Sequence, residues 1–238
     1  MKKFFSLAVI AFMAVLTVSA QKTATLSSPS GEIKANVSIE DQKLYYSVEF
    51  NGKEILSKMP LSMTFSNGVV AGEKVKSLNP KTKTVEEVFA PAIAVRNSKV
   101  NMKYNESEFK FGKYSVIFRL YDDAVAYRFV TRFGKKEVNV MDETVAYNFV
   151  NDNKILFPEE GSMYTHQERK FIDTTVGAIA DKKFASHPMV ATDNGVRMII
   201  TEVDLGHHYS TDHSICQYFS KKFFKTPGRQ WGGDRLHP

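Results

Sequence analysis

Cysteine and tryptophan are almost missing from this 238-residue sequence, which contains one of each. The single cysteine, Cys216, cannot form an intramolecular disulfide. A chain of this length buries about 70% of its unfolded surface and can be stable without cross-links. The composition therefore excludes a small secreted module held together by disulfides, and it suits an exported bacterial protein.

Long apolar runs are missing after the first twenty residues. Residues 1–20 combine a basic start, an apolar stretch at 4–18 and a small-residue site that ends at Ala20. This pattern predicts a secretory signal peptide, with cleavage before Gln21 and export to the periplasm. An uncleaved amino-terminal anchor is the open alternative. No later run approaches the roughly 20 apolar residues of a membrane span, so we expect no transmembrane segment after cleavage.

Clustered positive charge is missing too, although the formal net charge is +6. The lysines are scattered along the chain, which is common on β-sheet proteins because charged residues protect exposed strand edges. Nucleic-acid binding needs basic residues gathered on one face. The charge pattern and the predicted export together argue against nucleic acid as a partner.

The clearest structural signal lies in segment 113–133, where two runs of alternating apolar and polar residues flank Asp122-Asp123. A period of two indicates half-buried strands, and paired aspartates suit a turn. The inward set is Val116, Phe118, Leu120, Val125, Tyr127 and Phe129. The outward set includes Arg119, Arg128 and Arg132. We therefore expect a hairpin with a cationic outer face, which is either a solvated surface or a binding strip.

Similar short strands and tight turns recur through most of the chain. The strongest turn signals are Asn51-Gly52 and Asp193-Asn194-Gly195, because these residues tolerate positive φ. Further strands are predicted at 32–39, 44–50, 61–65, 82–89, 144–149 and 196–204, whereas 96–106 is polar and receives no strand. No ten-residue window has a convincing helical period. The pattern predicts an all-β, mostly antiparallel β-sandwich of about twelve or more strands.

Several motifs, taken in order, resemble the N-terminal β-sandwich of glycoside hydrolase family 97. They are Leu26-Ser-Ser-Pro29, the hairpin Phe118–Phe129, Tyr164-Thr-His-Gln-Glu168, Ala185-Ser-His-Pro-Met189 and Gly195–Leu205. The resemblance covers roughly residues 24–205. It implies a galactose-mutarotase-like supersandwich at 21–205 from an exported α-glucosidase or α-galactosidase.

Members of that family continue into a (β/α)₈ barrel that carries the catalytic carboxylates. The resemblance therefore implies that this chain stops before the barrel, forms one wall of the active site and has no catalytic residue of its own. Its substrate in the full-length context would be an α-linked oligosaccharide. A stand-alone carbohydrate-binding sandwich and a structural envelope sandwich remain the alternatives.

Three loop residues are candidates for a site. The resemblance implies that Glu168 is a calcium ligand at the domain junction, although only together with the barrel, since one carboxylate cannot complete a Ca²⁺ site of six to eight oxygens. No cofactor is expected for this chain alone. Tyr164 and His166 are candidates for sugar binding through stacking and hydrogen bonding. A packed surface loop is the alternative for all three.

Residues 206–238 differ in composition from the rest of the chain. They contain the only cysteine, the only tryptophan and four of the six histidines. We interpret them as an atypical tail produced by a frame slip or a truncated gene, a hypothesis that fails if neither other reading frame downstream encodes a barrel. His208, His213 and Cys216 have zinc-ligand side chains, but a zinc site also needs a fourth ligand and fixed geometry.

Overall fold

The computed structural model describes residues 21–93, 97–134, 138–162, 168–180 and 183–201, and the backbone of 216–217. The predicted signal peptide lies outside these residues, as does most of the predicted tail. Within them, the one helical element is a 3-10 turn at Val176–Ala178. All other regular structure in the described part is β-strand.

The strands are numbered here in chain order. They are β1 (Thr23–Ser27), β2 (Ile33–Glu40), β3 (Lys43–Phe50), β4 (Lys53–Pro60), β5 (Ser62–Phe65), β6 (Val70–Ala71), β7 (Lys81–Phe89), β8 (Val100–Lys110), β9 (Tyr114–Leu120), β10 (Val125–Thr131), β11 (Val140–Thr144), β12 (Lys154–Phe157), β13 (Glu159–Glu160), β14 (Ile172–Thr175), β15 (Phe184–Ala185), β16 (Met189–Asp193), β17 (Val196–Ile200) and β18 (Cys216–Gln217). They pair antiparallel. The predicted all-β, antiparallel architecture is confirmed.

The first sheet has the strand order β1-β2-β3-β4. Alternate residues of β2 are buried, and the residues between them are more exposed, as the two-residue period of a strand requires. Asn51 and Gly52 join β3 to β4 with φ angles of 50° and 76°. Two successive positive φ angles produce the tight turn that matches the twist of a hairpin, which confirms the predicted turn.

The second sheet has the order β18-β10-β9-β8-β7. The predicted central hairpin is its β9–β10 pair, in which Phe118 lies opposite Tyr127. Both side chains are buried and point away from solvent. The second predicted tight turn is also present, because Asn194 and Gly195 connect β16 to β17 with φ angles of 45° and 86°.

An aromatic cluster joins the first two sheets. The ring of Phe118, which is 0% exposed, lies 5.5 Å from Tyr46, 5.7 Å from Tyr127 and 6.1 Å from Phe109, measured between ring centroids. Tyr46 belongs to the first sheet and the other three residues to the second. Truncating a buried phenylalanine to alanine typically costs about 3–5 kcal/mol. These ring contacts therefore contribute strongly to the packing of the two sheets against each other.

Two further sheets extend the structure, with the orders β11-β5-β6 and β14-β12-β16-β17. The second of them, called here the distal sheet, has its own buried cluster that includes Ile155, Phe157 and Met189. Tyr147 packs against this cluster and against the main core. Buried Asp193 accepts a hydrogen bond from Lys53 of β4 at 3.3 Å, which adds a polar link between the distal sheet and the first sheet.

The outer face of the central hairpin is not cationic, contrary to the sequence prediction. Glu106 of β8 pairs with Arg119 at 2.8 Å and with Lys83 at 2.9 Å, and Glu108 pairs with Arg132 at 3.1 Å. Burial works to raise the pKa of Glu106, but hydrogen bonds from Lys83 and Arg119 outweigh it and lower that pKa. The face is a strip of alternating charges, because β8 contributes the acids that the hairpin itself lacks.

Two predictions about individual strands were wrong. Segment 96–106 received no strand, yet β8 begins at Val100 and pairs with the exposed strand β7. The first half of β8 alternates weakly, with Val100, Met102 and Tyr104 on one face, and the polar residues around them hid this signal. Conversely, the strand predicted at 144–149 is absent, since β11 ends at Thr144 and Phe149 makes only an isolated bridge to Leu56.

The β9–β10 turn contacts the turn that follows β1. The backbone N–H of Ser30 donates a hydrogen bond to Asp122 at 2.7 Å. Nearby, the side-chain amide of Asn105 donates to the carbonyl of Ser27 at 2.8 Å. Two motifs that are about ninety residues apart in the sequence therefore stabilise each other in the fold.

Among the described residues, the structure has no helix long and apolar enough to cross a membrane.

We predict that Asp122→Asn removes a stabilising contribution that depends on pH. Hydrogen bonds from the backbone of Ser30, and then from the hydroxyls of Ser30 and Ser28, hold the pKa of Asp122 below its usual range. The contribution is therefore fully present above the unfolded-state pKa of about 3.9 and is lost as the pH falls through the folded-state pKa. Urea unfolding of both proteins should give free energies of unfolding whose difference shrinks below about pH 4.

Asp123→Asn is the matched control, because it makes the same substitution at the next position of the turn, whereas the backbone of Ser30 donates to Asp122. It should leave the hydrogen bonds to Asp122 in place, together with the acid-dependent stability that they provide. If the free energies of unfolding of the unchanged chain and of Asp122→Asn differed by a constant amount into the acid range, the role assigned to Asp122 would be contradicted.

Candidate functional site

The candidate site is the loop at 158–171, which connects β12 to β14 and contains the predicted site residues. Its base is closed by the strand pair, since Phe157 lies opposite Ile172. The side chain of Phe157 is buried in the core of the distal sheet. A long polar loop thus starts and ends on a rigid apolar base, which is the usual way in which a scaffold presents functional residues.

A second strand pair fixes the beginning of the loop. In this pair Glu159 lies opposite Ala185 and Glu160 opposite Phe184. The backbone N–H of Ser186 donates to the carbonyl of Pro158 at 3.2 Å. The pairing places the motif at 185–189 beside the loop. Two of the sequence motifs thus form a single structural unit.

Two ion pairs hold this unit. Nε of Arg169 lies 3.0 Å from Oε2 of Glu160, and the Glu160 side chain is 3% exposed against 37% for Arg169. Glu159 pairs with Lys183 nearby, and both of these side chains are more exposed. Glu160 stands near the start of the loop and Arg169 near its end. Their ion pair therefore clamps the two ends of the loop together.

Glu168 is exposed and lies directly before Arg169 in the chain. An accessible carboxylate can give a calcium ion one or two of the six to eight oxygens that it needs. Within the described ranges no three His, Cys, Asp or Glu residues are grouped closely enough to hold a metal. Glu168 therefore fits a contributed ligand and does not form a complete site.

The other candidate residues fall outside the part of the chain that the structure describes. Tyr164 and His166 lie in the undescribed segment of the loop. His208 and His213 lie in the undescribed segment before β18, and for Cys216 the structure gives only the backbone, which pairs with Val130. Sugar binding by Tyr164 and His166 stays a prediction.

The loop leaves the distal sheet at the same end as the chain that follows β17. In that sheet Met189, the first residue of β16, pairs with Ile200, the last residue of β17. Val190, its neighbour, pairs with Leu156, so Phe157 also lies at this end. Thr201 and the start of the loop at Pro158 therefore leave the sheet at the same end of its strands.

The sequence matches the glycosyl-hydrolase 97 N-terminal family over residues 26–215. The chain belongs to this family. The match covers every motif that carried the resemblance, and it includes both the loop at 158–171 and the clamp formed by Glu160 and Arg169.

One relative of this domain is a retaining α-galactosidase from Bacteroides thetaiotaomicron. The two sequences are 33% identical over 216 residues, which is 86% of this chain and 32% of the relative. Among solved structures, a β-arabinopyranosidase superposes with a TM-score of 0.68 at 21% identity, covering 82% of this chain and 35% of the other. The chain thus spans about a third of the length of these relatives.

A further solved structure with the same fold is a glycoside hydrolase family 97 enzyme from Pseudoalteromonas sp. strain K8, in complex with acarbose. It superposes with a TM-score of 0.67 at 18% identity, covering 81% of this chain and 31% of the other. At this identity the likeness concerns the fold. It agrees with the family match in placing the described strands in a β-sandwich of the family 97 type.

The clamp between Glu160 and Arg169 was missed by the sequence analysis. The signal that could have found it is the distribution of charge around the loop. Two acidic residues, Glu159 and Glu160, follow a short apolar strand, and two basic residues, Arg169 and Lys170, precede the next strand. Opposite charges at the two ends of a loop favour its closure.

We predict that Arg169→Met destabilises the loop. The substitution keeps an unbranched side chain of similar length but leaves the carboxylate of Glu160 without the guanidinium in a buried position. Losing such a partner costs about 1–3 kcal/mol. Urea unfolding should give that decrease in the free energy of unfolding, and hydrogen exchange of a peptide covering 158–171 should become faster.

Lys183→Met is the matched control. It removes the cation of the neighbouring pair with Glu159, which is more exposed, and exposed pairs contribute about 0–1 kcal/mol. If Lys183→Met accelerated exchange in the loop as much as Arg169→Met does, Arg169 would have no special role as a clamp.

Proposed function

We propose that this chain is the non-catalytic N-terminal domain of an exported glycoside hydrolase that acts on α-linked oligosaccharides. In this proposal it forms one wall of an active site and supports a catalytic domain that follows it in full-length relatives. The observation that carries the proposal is the family match combined with the coverage, since the α-galactosidase relative matches 86% of this chain with only 32% of its own length. Most of such an enzyme lies beyond this domain.

The environment of the described acidic residues supports a non-catalytic role. Glycoside hydrolysis needs two carboxyl groups, about 5–10 Å apart, on either side of the scissile bond. Glu106 is held between Lys83 and Arg119 on a sheet surface, and Glu160 is buried against Arg169. Carboxylates held in this way by cations contribute to the stability of the fold, which supports a structural role for these two residues.

The calcium proposal assigns Glu168 the role of one ligand at the junction with the catalytic domain. Bound calcium would order the junction and supply positive charge there. The exposure of Glu168 at the end of the loop supports this role. Because the remaining oxygens would come from the following domain, calorimetry should show that the chain alone binds Ca²⁺ no more tightly than about 10⁻³ M. Tighter binding would contradict the shared site.

We predict that the purified chain alone does not hydrolyse nitrophenyl α-glucoside or nitrophenyl α-galactoside. The physical reason is that the proposal places both carboxyl groups that the mechanism requires in the domain that follows this one. The measurement is release of nitrophenol, with the intact α-galactosidase relative as the positive control. Clear turnover by the chain would contradict the proposal.

Calorimetry with malto-oligosaccharides and α-galactosides separates this function from a stand-alone carbohydrate-binding module. A supporting domain that forms one wall of a cleft is expected to bind these sugars very weakly by itself. Binding in the millimolar range or tighter, without any catalytic domain present, would show that the chain has a complete sugar site of its own.

A further inference from the structure

Strand β7 forms an open edge of the second sheet. It pairs with β8 on one side, and no strand in the described part of the chain lies on its other side. All of its residues except Val85 are exposed. An edge strand presents backbone N–H and C=O groups that a further strand can pair with. The edge of β7 is therefore accessible to another chain.

Strand β7 lacks several features that usually protect such an edge. Protected edge strands are short, contain a proline or are interrupted by a bulge. β7 has nine residues and no proline, whereas an ordinary strand has about five or six residues. Its pairing with β8 is regular from Lys81 to Phe89, without a shift of register. The edge is thus long and regular enough to accept a complete strand.

The charges of β7 lie in two separate halves of the strand. Lys81 and Lys83 lie in the first half, and Glu86 and Glu87 lie in the second. Lysine on an edge strand discourages pairing with most other strands. An antiparallel copy of β7 is different, because it brings the acidic half of one chain against the basic half of the other. Opposite charges at directly opposed positions are stabilising, and like charges are destabilising.

One register matches these charges over the whole strand. When two antiparallel copies of β7 are centred on Val85, all nine residues are paired, and Lys83 of each copy lies opposite Glu87 of the other. The two side chains of an opposed pair point to the same face of the sheet. Centring one residue later would place two copies of Glu86 opposite each other, and centring one residue earlier would place Lys83 opposite Val85.

The side chains of Lys83 and Glu87 are available for such contacts. Nζ of Lys83 lies 2.9 Å from Glu106, and its side chain is still 66% exposed. Because an ammonium group has three N–H donors, it can also bind a second carboxylate. Glu87 accepts a hydrogen bond from the hydroxyl of Tyr104 at 3.0 Å, and no cation of the described residues pairs with it. Lys83 of a second copy would supply that cation.

The apolar residues at the end of β7 fit the same register. Val88 is 62% exposed and Phe89 is 52% exposed. With the copies centred on Val85, Phe89 lies opposite Lys81 of the second copy, and Val88 lies opposite Thr82. The methylene stem of a lysine can pack on an apolar side chain while its ammonium group stays in water. Pairing therefore covers apolar surface at both ends of the joined strands.

We propose that β7 is a self-association edge, at which two copies of this chain pair antiparallel in the register centred on Val85. The pairing joins the second sheets of the two copies into one continuous sheet, with identical contacts related by a two-fold axis. Because one strand pair is a small interface, the dimer forms reversibly as the protein concentration rises. This inference goes beyond the proposed function and does not rest on it, since it involves no sugar and no catalytic domain.

Sedimentation velocity over a wide range of protein concentration tests the proposal. The unchanged chain should shift from monomer to dimer as its concentration rises. Lys83→Glu places a carboxylate opposite Glu87 of the second copy, and Glu87→Lys places an ammonium group opposite Lys83. Each substitution should raise the dimer Kd by about tenfold or more, because attraction becomes repulsion at two symmetric positions.

An equimolar mixture of the two variants provides the decisive measurement. In a mixed pair, the carboxylate introduced at position 83 faces the ammonium group introduced at position 87, and the unchanged Glu87 faces the unchanged Lys83. The mixture should therefore regain a dimer with a Kd close to that of the unchanged chain. Such rescue also shows that β7 is correctly folded in both variants.

Lys110→Glu is the matched control. Lys110 pairs with Glu108 at 3.3 Å and has a side chain that is 53% exposed, so its environment resembles that of Lys83. It belongs to β8, which lies between β7 and β9 and has no open edge. The control makes the same change of charge away from the proposed interface and should dimerise like the unchanged chain.

Three outcomes would overturn the assignment. A chain that stays monomeric at every concentration would show that β7 does not pair with itself, and the proposed function would be unaffected. A dimer that persists equally in Lys83→Glu and Glu87→Lys would show that another surface associates. Two monomeric variants whose mixture also stays monomeric would show that Lys83 does not face Glu87, so the register would be wrong.

Discussion

The contact between Phe118 and the rings of Tyr46, Tyr127 and Phe109 is the interaction on which the rest of the structure depends. It joins two sheets that are formed by different parts of the chain. Once the inner faces meet in this way, the two-residue period of each strand dictates which side chains face solvent. Tyr147 then connects the main core to that of the distal sheet. Because the candidate loop begins and ends on the distal sheet, this packing also fixes the position of the loop.

The loop combines a base of paired strands with exposed residues at 161–162 and 168–170. Its ends are fixed by the pairing of β13 with β15 and by the ion pair between Glu160 and Arg169, whereas Glu168 is exposed. A fold of this kind can host many functions, so function has to be argued from the site and from the family. The family is that of the glycosyl-hydrolase 97 N-terminal domains, and the polar loop leaves the distal sheet at the same end as the chain that follows β17.

The sequence was informative where burial leaves a pattern, and uninformative where it does not. Alternation around Phe118 predicted the central hairpin, and Asn51-Gly52 predicted a turn, because each depends on a few neighbouring residues. The first half of β8 was missed because its alternation of Val100, Met102 and Tyr104 is hidden among polar residues, and its partner β7 is exposed. The cationic face was mispredicted because Glu106 comes from another strand. The clamp at Glu160 was missed for the same reason, since its partner approaches only in the folded chain.

The most direct test of the central claim, that this domain supports a catalytic partner, is restoration of activity. Hydrolysis of nitrophenyl α-galactoside is measured for the α-galactosidase relative without its matched third, before and after this chain is added. The account predicts that the chain raises the rate in a saturable manner, because it supplies the missing wall of the active site. A rate that stays unchanged, although both proteins are folded, would contradict the account.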